Sequence, residues 1–260
     1  MKLSCGSRTL DLATPVVMGV VNVTPDSFSD GGAFLDARAA AARIEHLVEA
    51  GAAIVDIGGE STRPGAMPVP VGEELQRVMP AIEHAVRLPV VVSVDTSRPE
   101  VIHAALQAGA HMVNDVRALT VPGALEAVSR SAAAVCLVHM RGGPADMQDD
   151  PRYEDVAGEV AAFLAARVRA CELAGIARGR IVIDPGFGFG KTLEHNLALL
   201  RAIPALRAAT GCPVLIGLSR KSFLGRLLGD MEADRLVPTV VAGVEAVRRG
   251  AFMLRVHDVA

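Results

Sequence analysis

The sequence has few cysteines, and their spacing argues against both disulfides and a structural zinc site. Its 260 residues include four, Cys5, Cys136, Cys171 and Cys212, which lie far apart and form no Cys-x-x-Cys pair. Disulfide scaffolds and zinc modules both depend on closely spaced cysteines, so this distribution favours a reducing compartment. We therefore expect a cytoplasmic protein.

The sequence also lacks long apolar runs and an excess of charge of either sign. The formal net charge is −3, which gives no overall attraction to nucleic acid or to a membrane surface. The longest apolar stretch, around residues 15–23, is far shorter than the ~20 residues of a transmembrane helix. No apolar segment of a signal peptide precedes it. We expect neither nucleic acid nor a membrane among the partners.

What the sequence does contain is eight short apolar runs, evenly spaced and each ending on a polar residue. Runs rich in Val and Ile, separated by longer helical stretches, are typical of buried parallel strands. Eight of them in a chain of this length predict an α/β protein with the (β/α)8 (TIM) barrel fold. No Ser/Pro/Gly-rich linker interrupts the alternation, so we expect residues 1–260 to form a single domain. The polar residues that end the runs are Asn22, Asp56, Asp95, Asn114, His139, Asp184, Ser219 and Arg255.

The segments between the runs complete this expected architecture. Residues 1–14 are typical of a short hairpin that closes the bottom of the barrel. Helices are predicted at residues 36–50, 73–87, 99–108, 122–132, 154–174, 194–209 and 233–249, with Pro80 kinking or interrupting the second. The sequence reaches Ala260 directly after the eighth run, so we expect the eighth helix to be missing. Long polar segments follow several strands, where this fold builds its active site.

Three of the strand-end residues suggest a site for a flat polar heterocycle. The side chains of Asp95, Asn114 and Asp184 could hydrogen-bond ring N–H and amino groups in one plane. Each could instead cap the helix or turn that follows it. Three such side chains on one rim favour a ligand over capping.

The segment Asp184–Lys191 is unusual because three glycines alternate with two phenylalanines. Glycines let the backbone approach a ligand closely, and the phenylalanines could form an apolar wall. A nucleotide-triphosphate loop is excluded, because that motif needs a glycine where Pro185 stands.

Cations at the last two strand ends suggest an anion site. Ser219-Arg220-Lys221-Ser222 opens a helix, whose N-terminus with serines and two cations suits a carboxylate or phosphate. Strand alternation points Arg255 and His257 the same way, toward one ligand. A surface charge cluster is the other interpretation, and the strand-end positions weigh against it.

The loops after the first two strands add oxygen ligands and a further cation, Arg63. Mg²⁺ bound to a phosphate takes few protein ligands, so Asn22 with Asp26 could suffice.

Taken together, these segments resemble the dihydropteroate synthases of the pterin-binding family. The resemblance covers stretches from strand one to strand eight, in order: Asn22–Gly32, Asp56–Pro64, Ser93–Thr96, Asn114–Asp115, Asp184–Lys191, Ser219–Ser222 and Arg255–Asp258. It implies a transferase that joins 4-aminobenzoate to hydroxymethyl-dihydropterin diphosphate and releases diphosphate. It also implies Mg²⁺, a homodimer and inhibition by sulfonamides.

The resemblance assigns a role to each candidate site residue. For the pterin it implies Asp56, Asp95, Asn114, Asp184 and Lys221, with Arg255 on the ring face. For the diphosphate it implies Asn22, Arg63, Arg255 and His257, with Asn22 ligating magnesium; these four residues and Lys221 are the expected catalytic set. For 4-aminobenzoate it implies Phe28, Thr62, Pro64, Phe189, Lys221, Ser219 and Ser222.

The sequence departs from the family pattern in two places. Arg235–Thr239 stands where the family commonly has small residues, and we expect the C-terminal helix that covers the barrel in relatives to be missing. Two other functions remain open at this point, a methyltetrahydrofolate-binding methyltransferase and a non-catalytic pterin- or phosphate-binding protein. The methyltransferase leaves Arg63 and the Arg255/His257 pair unexplained, and binding alone would not need the first two loops.

Overall fold

A computed structural model describes residues 1–24, 32–62, 65–143 and 146–260 of the chain. Eight parallel strands form one sheet in the order β8-β7-β6-β5-β4-β3-β10-β9. A parallel bridge between Ile183 of β8 and Val214, just before β9, joins the two ends of the sheet. The result is a nearly closed barrel, as the sequence predicted. The strands of the barrel are β3 (Val16–Asn22), β4 (Ile54–Gly58), β5 (Val91–Asp95), β6 (Met112–Asp115), β7 (Ala134–Val138), β8 (Ile181–Asp184), β9 (Leu215–Ile216) and β10 (Met253–Val256).

Helices separate the strands and pack on the outside of the barrel. They are α1 (Gly32–Glu49), α2 (Val71–Ala85), α3 (Pro99–Gln107), α4 (Ala124–Ser129), α5 (Val156–Leu173), α6 (Leu193–Thr210), α7 (Ser222–Leu228) and α8 (Leu236–Arg248). A large apolar cluster, including Ile44, Val92 and Leu164, fills the space between helices and strands. This layer is the main core of the molecule.

The predicted N-terminal hairpin is present and closes the lower end of the barrel. β1 (Lys2–Cys5) pairs antiparallel with β2 (Arg8–Asp11). Leu3, Cys5 and Leu12 join a second apolar cluster with residues near the strand starts, such as Ile54 and Val91. The lower half of the barrel is therefore packed, which confines ligand access to the strand-exit end.

Several predicted helix boundaries were wrong. α1 begins at Gly32 rather than at residue 36, and α4 covers only Ala124–Ser129 instead of 122–132. α2 runs without interruption through Pro80, because a helix packed on a barrel tolerates one lost backbone hydrogen bond. Two helices follow β9, as predicted: α7 begins at Ser222, where residues 219–222 were expected to open a helix, and α8 lies within the predicted range 233–249. Residues 257–260 after β10 are not helical.

Among the described residues, no helix is long and apolar enough to cross a membrane.

Candidate active site

Five polar side chains predicted at the strand ends meet inside the upper part of the barrel. In the sheet register Asp95 lies opposite both Gly58 and Asn114. Asp56, Asn114 and Asp184 are buried, and Arg255 is partly buried among them. β4 continues to Gly58, so Asp56 lies within the strand rather than at its end. Because side chains alternate along a strand, Ile54 and Asp56 both face the interior.

Arg255 and Asp56 form the centre of this group. Arg255 Nε lies 2.6 Å from Asp56 Oδ2, and an Arg255 Nη atom lies 2.6 Å from Asp95 Oδ2. The Asn114 side-chain amide donates to the same Asp56 oxygen at 2.9 Å. Asp56 has no solvent exposure, so it orients Arg255 and Asn114 from below.

Three buried oxygens in this region have no hydrogen-bond partner among the described residues: Asp56 Oδ1, Ser93 Oγ and Asn114 Oδ1. Leaving a buried acceptor unpaired costs free energy of roughly 1–3 kcal/mol per group. A ligand that presents several N–H groups would remove that cost. The interior is therefore suited to a donor-rich heterocycle.

The charges of the site are strongly coupled. Burial raises the pKa of Asp95 to about 7, although the Arg255 charge opposes that shift. Burial alone lowers the pKa of Arg255, but Asp56, Asp95 and Asp184 outweigh it and raise the pKa above its ordinary value. Arg255 is thus a permanent cation held by three carboxylates.

Asp184 and Lys221 form another wall of the site. Asp184 Oδ1 accepts a hydrogen bond from the Gly186 N–H at 2.7 Å, and burial raises the pKa of Asp184. Burial lowers the pKa of Lys221 to about 8, with Asp184 opposing the shift. The Lys221 ammonium donates to the Phe187 carbonyl and lies 4.2 Å from the centre of the Phe189 ring.

The glycine-rich segment after β8 packs directly on the exit of β7. Gly186 has φ 71° and Gly190 φ 62°. A Cβ atom would lie 1.8 Å from the His139 carbonyl oxygen at Gly186, and 2.4 Å from the Arg141 carbonyl oxygen at Gly190. Close backbone approach therefore requires both glycines.

The two phenylalanines of this segment differ in role. Phe187 is fully buried and packs against Phe223, with 6.1 Å between the ring centres. Phe189 lies under Lys221 instead. The expected apolar wall thus reduces to Phe189, because Phe187 belongs to the core.

Lys191 and His139 were not among the predicted site residues. Lys191 is buried, and its ammonium donates to the Phe189 carbonyl at 2.9 Å and lies 3.0 Å from His139 Nδ1. Burial lowers the pKa of Lys191 to about 7 and that of His139 to about 3. The pair ties the glycine segment to β7. The sequence feature that could have identified Lys191 is its position at the end of a glycine-rich turn that follows a strand.

One of the two cations in the predicted anion site at residues 219–222 is already engaged in an ion pair. Arg220 pairs with both carboxylate oxygens of Asp258, at 2.8 and 2.6 Å. Ser219 Oγ accepts the His257 backbone N–H at 3.2 Å and lies 3.1 Å from His257 Nδ1. Ser219 therefore lies against His257, and Ser222 begins α7.

A cavity of about 430 Å³ opens beside Asp95. Thr62 and Glu60 line one side, and Asp95 with Arg98 line the other. Its volume is in the range of small-molecule sites. Asp95 is shared with the Arg255 ion pair, so the cavity adjoins the carboxylate cluster.

Asn22 ends β3 and is half-buried, opposite Gly58 in the sheet. Its amide oxygen is a suitable hard ligand for Mg²⁺. The described residues contain no group of three or more His, Cys, Asp or Glu arranged to hold a metal ion. Any Mg²⁺ here would depend on substrate oxygens. Phe28, Arg63, Pro64 and Asp26 lie outside the described residues.

Comparison with known proteins gives a consistent result. The family model described as "Pterin binding enzyme" matches residues 18–257. The dihydropteroate synthase of Escherichia coli K12 is 48% identical over all of this chain and 92% of its own length. A Xanthomonas albilineans dihydropteroate synthase structure with 4-aminobenzoic acid has a TM-score of 0.93 at 52% identity, covering 100% of this chain and 93% of that one. A Yersinia pestis dihydropteroate synthase structure with a sulfonamide drug complex has a TM-score of 0.93 at 46% identity, covering 100% and 94%.

Proposed function

The chain belongs to the family of pterin-binding enzymes, and we propose that it is a dihydropteroate synthase. The enzyme joins 4-aminobenzoate to 6-hydroxymethyl-7,8-dihydropterin diphosphate, releasing diphosphate and forming 7,8-dihydropteroate for folate biosynthesis. The observation that carries this assignment is the set of buried acceptor oxygens, including Asp56 Oδ1 and Asn114 Oδ1, that have no hydrogen-bond partner in the described part of the chain. The full-length relatives named for this reaction support it.

The pterin ring would bind between the carboxylates. Asp95, Asn114 and Asp184 accept its ring and amino N–H groups, and Lys221 donates to the ring carbonyl side. Asp56 acts through Asn114 and Arg255, because both already hydrogen-bond its carboxylate. The flat Arg255 guanidinium packs on the face of the ring.

The diphosphate would lie at the end of the barrel near β3 and β10. Asn22, Arg63, Arg255 and His257 are its proposed partners. Asn22 would hold Mg²⁺, whose remaining ligands would be diphosphate oxygens and water. When bound, the metal neutralises negative charge on the leaving group.

4-Aminobenzoate would bind nearer the surface, framed by the first two loops and the start of α7. Phe28, Thr62, Pro64 and Phe189 form its walls, and Lys221, Ser219 and Ser222 lie near its carboxylate. The Ser219 hydroxyl accepts the His257 backbone N–H, which fixes its position beside the start of α7.

The chemistry is a substitution at the exocyclic methylene of the pterin. The C–O bond to diphosphate breaks, the amine nitrogen forms the new C–N bond, and the amine loses one proton. Positive charge that develops on the methylene spreads into the ring, where Asp95 and Asp184 stabilise it electrostatically. Arg255, Arg63 and His257 assist departure of the leaving group. No covalent intermediate with a side chain is required.

We also propose that the active form is a cytoplasmic homodimer and that residues 1–260 act as one domain. Val237, Val240, Val241 and Val244 form an exposed apolar stripe on α8. An exposed stripe at helical spacing is typical of an interaction surface. A second copy of the same helix would cover it.

The test is diphosphate release, measured with and without 4-aminobenzoate. Release that depends on 4-aminobenzoate, with a sulfonamide as competitive inhibitor, is the expected result. A pocket discriminates poorly between near-isosteres, so both molecules should compete. Pterin binding without diphosphate release would instead indicate a binding protein, and methyl transfer to an acceptor would indicate the methyltransferase.

A further inference from the structure

The segment between β4 and α2, of which the structure describes residues 59–62 and 65–70, is held at both of its ends. We call it the second loop. At its start, the Arg77 side chain donates to the Gly59 carbonyl at 2.8 Å. Glu60 Oε1 accepts the Val69 backbone N–H at 3.2 Å. Because Glu60 and Val69 lie at opposite ends of the loop, this bond closes its base.

A single guanidinium, that of Arg98, contacts both ends of the loop. Its Nη2 donates to Glu60 Oε1 at 3.1 Å and also to the Val69 carbonyl oxygen. Its Nε lies 2.9 Å from Glu74 Oε2 in the first turn of α2. Arg98 itself immediately precedes α3, three residues after Asp95. The side chain thus joins the second loop, α2 and the exit of β5.

The orientation of Arg98 is secured by a carboxylate with no solvent exposure, that of Glu74. Burial raises the pKa of Glu74, and the charges of Arg98 and Arg77 oppose that shift. A buried carboxylate is costly without a paired cation. Glu74 therefore strongly favours the one arrangement in which Arg98 reaches it.

The consequence lies at the cavity of about 430 Å³ described above. Glu60, Ser61 and Thr62 of the second loop form one wall, and residues 95–98 belong to the other. Arg98 spans the two walls, so its contacts set their separation. The cavity is lined by Thr62, one of the residues proposed for 4-aminobenzoate, and by Asp95, one of those proposed for the pterin.

From this geometry we propose that Arg98 is a positioning residue for 4-aminobenzoate, acting by clamping together the two ends of the second loop, at Glu60 and Val69, beside the outer part of the site. The inference rests on the proposed function, because it assigns the outer part to that substrate. Arg98 is not a catalytic residue, because it acts through Glu60, Val69 and Glu74.

The experiment compares Arg98→Met and Arg98→Lys with the wild-type enzyme. Arg98→Met should raise the KM for 4-aminobenzoate about tenfold, as expected for losing hydrogen bonds to charged groups. The affinity for free 6-hydroxymethylpterin should stay unchanged. The KM for the pterin diphosphate should rise less than that for 4-aminobenzoate, because only Arg63, one of its four proposed partners, lies in the second loop. Arg98→Lys keeps the charge beside Glu74 but lacks the planar guanidinium. Its KM for 4-aminobenzoate should therefore lie between those of the wild type and Arg98→Met. The sulfonamide inhibition constant should rise together with the KM for 4-aminobenzoate.

Two controls separate positioning from folding. Arg178→Met removes another two-point arginine–glutamate pair, with Glu172 at 2.8 and 2.9 Å, at the strand-entry end of the barrel, and should leave both KM values unchanged. The double variant Arg98→Met with Glu74→Gln leaves no unpaired buried carboxylate, so it keeps the test usable if Arg98→Met alone does not fold.

Hydrogen–deuterium exchange distinguishes failure of this inference from failure of the proposed function. Exchange of residues 59–70 should be faster in Arg98→Met than in wild type whether or not the enzyme makes dihydropteroate. Unchanged exchange would overturn the clamp. In an active enzyme, equal losses toward both substrates that follow the loss of thermal stability would also overturn it.

Discussion

At the scale of single residues, one oxygen of Asp56 accepts hydrogen bonds from two groups that we propose contact the pterin. Asn114 and Arg255 both donate to Oδ2, while Oδ1 has no partner among the described residues. A buried carboxylate used in this way holds an amide and a guanidinium at fixed positions before any ligand arrives. Such preorganisation lowers the cost of binding a ligand in one orientation.

His257 provides a residue-scale prediction about the diphosphate end. His257→Ala should weaken binding of the pterin diphosphate about tenfold, the effect of one charge-assisted hydrogen bond. Binding of the free pterin alcohol should change little, because His257 lies beyond β10, against Ser219. Calorimetry with the two ligands makes the comparison, and equal losses for both would show that His257 does not contact the diphosphate.

Lys221 provides a prediction about pH. Burial lowers its pKa to about 8, so the side chain is a cation near neutral pH and loses its proton as the pH rises above that value. kcat/KM for the pterin diphosphate should therefore fall on the alkaline side of about 8. Lys221→Arg should move this decline to higher pH, because arginine keeps its proton. Identical pH profiles for the two proteins would exclude Lys221 as the group responsible.

At the scale of elements, the turn after β8 is held from several directions. Asn196 at the start of α6 accepts the Gly188 N–H at 2.8 Å, and the Tyr153 hydroxyl donates to the Gly190 carbonyl at 3.0 Å. Lys191 adds its contacts to the Phe189 carbonyl and His139. The turn carries Phe189 and accepts the Lys221 hydrogen bond, so its rigidity is transmitted to the site.

Gly186→Ala tests this element. The added Cβ would lie 1.8 Å from the His139 carbonyl oxygen, so the turn must move away from β7, and the hydrogen bond from the Gly186 N–H to Asp184 should weaken. We expect unfolding free energy to fall by more than the ~1–3 kcal/mol of a strained φ alone, together with weaker pterin binding.

Gly175→Ala is the matched control for Gly186→Ala. Gly175 also has positive φ, 89°, but nothing lies within 4 Å of an added Cβ. It should show only the cost of backbone strain and bind pterin normally. Urea unfolding and calorimetry measure both quantities, and similar effects of the two substitutions would contradict the steric argument.

At the scale of the whole molecule, α8 has an apolar face that no described element covers. The side chains of Val237 and Val241 on α8 are 68% and 64% exposed, which is unusual for a helix of a parallel barrel. Gly243 and Ala246, on the opposite side of α8, are buried. The exposed stripe is the surface that we assign to the homodimer.

Val241→Asp tests the dimer. A carboxylate buried in an apolar interface is costly without a partner, so the variant should be monomeric at concentrations where the wild type is a dimer. Leu173→Asp is the control, because Leu173 on α5 is 90% exposed and lies outside the stripe. Light scattering during size-exclusion chromatography measures the mass, and a dimeric Val241→Asp protein would show that another surface is used.

The sequence alone was sufficient for the barrel and for several polar residues at its strand ends. Eight apolar runs of strand length specify parallel strands, because only strands buried on both faces lack polar alternation. Parallel strands end at the same edge, so Asp95, Asn114 and Asp184 had to meet. The hairpin that closes the barrel was equally predictable from its short paired segments.

Only the tertiary structure decided what these side chains contact. Asp56 and Arg255 are 199 residues apart in the chain, and no local pattern predicts that they pair. The same holds for Arg220, which the sequence offered as an anion ligand and the fold pairs with Asp258. Partners of this kind depend on which strand ends and helix starts become neighbours when the barrel closes.

Burial was the second property that the sequence could not supply. Phe187 and Phe189 are equivalent in a glycine-rich pattern, yet one packs in the core and the other lies beneath Lys221. Glu74 and Lys191 carry charges that sequence patterns place at the surface, and both are buried. A charge is buried only where the folded chain brings a partner to it, and that partner is determined by the packing of distant elements.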